Sequence, residues 1–149
     1  MLLSGSSIAD ALFHSTGGGA TEANENVYTT VGGRRVASPV AYLRGGSDRA
    51  PDGTAYDASA PYATWATRTY SSDQLAAWFA ADPRTNVGDL IALDLRDRGV
   101  SGRLVSVTLM GSAGTRRVSG EIFRAVFNAH RPATDPSLRS TLLDTIPIP

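Results

Sequence analysis

The run His14-Ser15-Thr16-Gly17-Gly18-Gly19 is where this sequence concentrates groups able to hold a ligand. Consecutive glycines let backbone come close to a bound molecule, and imidazole and hydroxyl groups supply hydrogen bonds of the kind sugar hydroxyls need. The same run also reads as a tight turn after a strand, its polar side chains satisfying nearby backbone. A phosphate-binding loop fits poorly, because the chain contains no lysine and no helix plainly follows.

The other chemistry-bearing residues are few. Only three glutamates occur, Glu22, Glu25 and Glu121. Glu22 and Glu25 could form an acid–base pair, but a solvated loop would leave both ionised near neutral pH and unable to donate a proton. Glu22 therefore reads better as a groove or loop-ordering contact. His14 and His130 have no third ligand in register, and cysteine is absent, so no metal or cofactor site is expected. Ser15 beside His14 is not a nucleophile and its base, since adjacent residues on a strand face opposite ways. Tyr28, Tyr62 and Trp65 could stack on sugar rings. For Trp65, core and groove are equally open. Arg34-Arg35 and Arg116-Arg117 read as solvated charges at turns and strand ends.

These residues need elements to position them. Leu2-Leu3, Ser4 to Ser7 and Ile8 to Phe13 read as strand, turn, strand. Val36 to Leu43 contains Pro39 and reads as an edge strand or irregular segment. Tyr62 to Tyr70 alternates large and small residues and reads as a strand. Ser71 with Gln74 three residues on makes a capping box, and Leu75, Trp78 and Phe79 then share one helix face as core. Asp89 to Arg96, Arg103 to Met110 and Thr115 to Val118 alternate between glycine-bearing turns, which predicts a three-stranded antiparallel meander. Ser119 caps a second helix over residues 120–127 that buries Ile122, Phe123, Val126 and Phe127. The expected fold class is α+β: β-rich, mostly antiparallel, with two short helices.

Composition bounds the function. The 149 residues are 42% hydrophobic and 19% charged, enough apolar content for one packed domain or part of one. Fourteen arginines balance fourteen acidic residues. That balance argues against a nucleic-acid partner, which needs a basic excess or face. No apolar run is long enough to span a membrane, and no secretory signal is visible in this chain.

Several stretches occur in a telling order. Ala11 to Glu22 passes from an apolar strand through Ser-Thr and Gly-Gly to Thr-Glu, followed by Asn24-Glu25-Asn26-Val27-Tyr28. Pro61-Tyr62 and Trp65 come next. Arg98-Gly99-Val100-Ser101-Gly102-Arg103 leads through Val118-Ser119-Gly120-Glu121-Ile122-Phe123-Arg124 to Leu138-Arg139-Ser140-Thr141-Leu142. Together these resemble the SpoIID/LytB family of bacterial cell-wall proteins, across nearly the whole chain. The resemblance implies peptidoglycan as partner: some members resemble lytic transglycosylases, in sporulation above all, and others enhance a wall amidase. It also implies an extracytoplasmic location, in the cell wall or secreted. The family's catalytic acid is a glutamate in a Gly-Glu-x-Pro-type motif upstream of the Ser-Thr-Gly-Gly loop. No such motif occurs here, and residues 1–149 align with the portion after it, the later part of a larger SpoIID-like domain. The expectation is thus a glycan groove formed by His14, Ser15, Thr16, Gly17, Gly18, Glu22 and Trp65, with no catalytic residue in this chain. Such a chain either belongs to a glycan-cleaving protein or is a non-catalytic wall-binding or amidase-enhancing module.

Overall fold

The computed structural model describes residues 2–12, 14, 16–64 and 67–143. Its best-formed part is the meander. Strands β5 (Leu90–Asp94), β6 (Ser106–Gly111) and β7 (Gly114–Ser119) pair antiparallel in the order β5-β6-β7. Leu93 lies opposite Leu109, and Val107 opposite Val118; the register shifts once, between Leu90 and Ala92. Period-two alternation puts Val107 and Leu109 wholly out of solvent.

Two helices close that face. In α2 (Ser72–Ala81) the Ser71 side chain accepts from the Gln74 N–H, and the Gln74 side chain accepts from the Ser71 N–H, so two otherwise unpaired amides are satisfied. In α3 (Gly120–His130) the Ser119 hydroxyl accepts from the Ile122 N–H. That helix runs three residues beyond the expected 127. Phe79 of α2 and Phe123 and Val126 of α3 pack on Val107, Leu109 and Val118. The Phe79 and Phe123 rings stack with centroids 5.0 Å apart. Trp78, expected in the core with Phe79, is half-buried and packs edge-on against Tyr70 and Phe127 instead.

The first half holds little regular structure. Strands β1 (Leu3–Ser4) and β2 (Ser7–Ile8) form a hairpin; of the longer strand expected, residues 9–12 carry no strand, and Phe13 lies outside the described residues. Strands β3 (Ala20–Thr21) and β4 (Gly46–Ser47) pair antiparallel, and the four-residue helix α1 (Asn24–Val27) follows β3. The segment Val36 to Leu43 is irregular. Its backbone is tied by one side chain, Asn24, which donates to Ser38 O and accepts from the Val40 N–H, both at 2.9 Å. The expected strand from Tyr62 to Tyr70 is corrected: residues 62–64 and 67–70 carry no strand, and Tyr62 has φ 73°, outside the extended region. The fold is α+β, with short antiparallel sheets and the core between the meander and its two long helices. Among the described residues no helix is long and apolar enough to cross a membrane.

Candidate functional site

The glycine-rich run crosses the first half as a loop before β3, and its backbone is spoken for. The Gly17 and Gly18 N–H groups both donate to Asp57 Oδ2, the second at 3.0 Å. Those two bonds, Gly17's first, hold the Asp57 carboxyl below the usual aspartate range. Asp57 Oδ1 is buried and has no hydrogen-bond partner among the described residues. From the other side Arg103 donates to Gly17 O at 2.7 Å and to Ala20 O at 3.1 Å. Thr16 Oγ1 donates to Pro61 O at 3.3 Å. Loop amides that could have met a ligand are thus turned inward, onto a carboxylate the sequence reading did not single out.

Glu22 is fixed still more firmly. Its carboxylate accepts five hydrogen bonds: Ser101 Oγ–H at 2.5 Å, the Ser101 and Val100 N–H groups at 3.2 Å, the Ala23 N–H at 2.9 Å and the Asn26 amide at 2.7 Å. Burial pushes its carboxyl up, but these donors outweigh that and hold it below the usual glutamate value. The turn at 99–101 can wrap the carboxylate because Gly99 has no side chain; a Cβ there would fall on the Glu22 oxygens. Glu22 is therefore ionised, as expected, but through hydrogen bonds rather than through solvation. Glu25 does not join it and instead takes a bidentate pair from Arg44.

The hydrogen bonding continues past Glu22. Asn26 accepts from Arg35, Arg35 lies 3.7 Å from Asp97, and Asp97 accepts from Arg117 at 2.7 Å and from Ser106 Oγ–H at 2.5 Å. Arg35 and Arg117 are thus joints between the loops and β7 rather than simply solvated charges. Arg116 donates to Pro83 O.

These loops, with α3 and the segment after it, enclose a groove of about 660 Å³. His14, Thr16, Tyr28, Tyr42, Arg124 and Arg139 present side chains along it. Glu22 and Glu121 are the carboxylates on its lining among the described residues, and Glu121 pairs with Arg124 at 2.6 Å. Of the residues expected to form a ligand site, the structure gathers His14, Thr16 and Glu22 on one groove. It puts Gly17 and Gly18 behind them as the anchored loop. Ser15 and Trp65 lie outside the described residues. Tyr42, Arg103, Arg124 and Arg139 were not foreseen as site residues; nothing in their local spacing marks them, because each comes from a different loop or helix. A second concavity of about 650 Å³ runs along β5, lined by Leu93, Leu95 and Met110. Its one carboxylate, Asp94, is held by Arg96 at 2.7 Å, with its pKa lowered to about 2 by that bond.

No family model, no curated protein and no solved structure matches this chain.

Proposed function

We propose that this chain is a saccharide-binding module of the bacterial cell wall, related to the SpoIID/LytB domain, that holds glycan strands without cleaving them. One observation carries the reading: all three glutamates are committed to partners. Glu22 accepts five hydrogen bonds, Glu25 is paired with Arg44, and Glu121 with Arg124. Cleaving a glycosidic bond needs a carboxylic acid that is neutral and free to protonate the leaving oxygen, usually kept so by an apolar pocket. Glu22 and Glu25 are held in the opposite state, with their carboxyls below the usual glutamate range. Beside its ion-paired arginines and glutamates, the groove offers hydroxyl, imidazole and phenol groups, which suits a polyhydroxylated ligand. In this proposal the module acts outside the cytoplasm, on peptidoglycan, alone or alongside a wall amidase.

The test is incubation of the purified chain with peptide-free glycan strands, following binding by calorimetry and products by mass spectrometry. Saturable binding with no anhydro-sugar product is expected. Absence of binding would refute the module, and anhydro-sugar release would refute the non-catalytic assignment.

A further inference from the structure

The four arginines on the groove are not equivalent. Arg44 is spent on Glu25 and Arg124 on Glu121. Arg103 is spent on two loop carbonyls, and burial lowers its pKa against the opposing pull of Glu22 and Asp57. Arg139 differs. Among the described residues its side chain donates no hydrogen bond and meets no carboxylate, although it is exposed on the groove. Its guanidinium carbon sits 3.6 Å from the centroid of the Tyr62 ring. Stacking of this kind fixes the guanidinium while leaving its in-plane N–H edge open, the edge that matches a carboxylate in bidentate fashion.

Tyr62 supplies an independent reason to regard the pair as built. It occupies the third position of a four-residue turn, Ala60 to Ala63, closed by the Ala63 N–H donating to Ala60 O at 3.1 Å. With Pro61 second and φ 73° at the third position, this is a place where glycine is strongly favoured. A tyrosine there carries backbone strain, and a strained residue with an exposed bulky ring is characteristic of sites where the side chain is used. The turn is anchored to the groove, since its Pro61 O accepts from Thr16. Tyr62 thus carries Arg139 at a fixed place on the rim.

We infer that Arg139, stacked on Tyr62, is a specificity-determining residue of this groove, the docking point for a carboxylate on the bound saccharide. The inference rests on the groove reading above and narrows it. A neutral chain charge means that no general attraction for anions would mimic the effect.

Two tetrasaccharides of one length separate the possibilities: an N-acetylglucosamine tetramer, and an alternating N-acetylglucosamine–N-acetylmuramic acid tetramer, whose lactyl groups carry carboxylates. Dissociation constants by calorimetry on the 149-residue chain should favour the acidic tetramer by about fivefold, since the arginine is solvent-exposed and its gain is screened. Salt should erode the preference. Arg139→Gln should abolish the preference, and Arg139→Lys should retain part of it. Tyr62→Gly relieves the strained turn, so it should keep or raise the melting temperature yet reduce the preference. Equal binding of both tetramers, or a preference that survives Arg139→Gln, would overturn this inference and leave the groove reading intact. Failure of both tetramers to bind would overturn the two together.

Discussion

Replacing Glu22 by glutamine keeps the size of the side chain and removes only its capacity to accept everywhere. In the native protein all five partners of this carboxylate are donors, three on Oε1 and two on Oε2. The least costly placement of the amide puts its –NH2 where Oε2 stood. The Ser101 hydroxyl can then turn and accept, but the Ser101 N–H is left facing another donor. One charge-assisted bond is lost and three are weakened to neutral ones, against a usual value of about 1.5–3 kcal/mol per bond to a charged group. Because Glu22 is only half-buried, we expect Glu22→Gln to cost about 2 kcal/mol at pH 7. For a chain of this length that is a fall in melting temperature of roughly 4–8 °C, read by circular dichroism. The pH dependence gives a sharper check. Glu22 has a folded-state pKa below its unfolded value, so its contribution is complete above the ordinary glutamate pKa of about 4.3 and disappears as pH falls through the folded-state pKa. The gap between wild type and Glu22→Gln should be widest at neutral pH and close in acid. Equal melting temperatures at pH 7, or a gap that persists unchanged into acid, would refute the account of Glu22 as an ionised anchor.

Two further outcomes follow from neighbouring features. Asp57→Ala should speed hydrogen exchange at the Gly17 and Gly18 amides on the order of tenfold, the loss of a charge-assisted bond to each, while the meander amides keep their rates in two-dimensional NMR. Ser119→Ala removes the cap of α3 and should cost about 1 kcal/mol, a drop of roughly 2–4 °C in the same melting experiment.

The elements that were legible in the sequence are those fixed by neighbours along the chain. Leu104, Ser106 and Thr108 alternate with Val105, Val107 and Leu109, and such alternation identifies a strand. Ser71 with Gln74, and Ser119 before Ile122, place helix starts because capping acts over three residues. Where alternation misled, at Tyr62 to Tyr70, it was alternation of size rather than polarity, and the described residues of that segment pair with no strand. The site behaved differently. Glu22 and the run from His14 to Gly18 are conspicuous by type, but Glu22's role depends on Ser101, 79 residues away, and the loop's on Asp57, 40 residues from Gly17. An aspartate in a loop full of aspartates carries no local mark of the amides it will bind. Arg139 and Tyr62 likewise mean little apart; only the chain's path sets one over the other. The sequence by itself thus determined the α+β framework and marked by residue type the segment whose His14 and Thr16 line the groove, because periodicity and capping are short-range. Tertiary structure alone decided which carboxylates are consumed and which groove arginine, among the described residues, stays open, since hydrogen bonds between distant loops obey no sequence spacing.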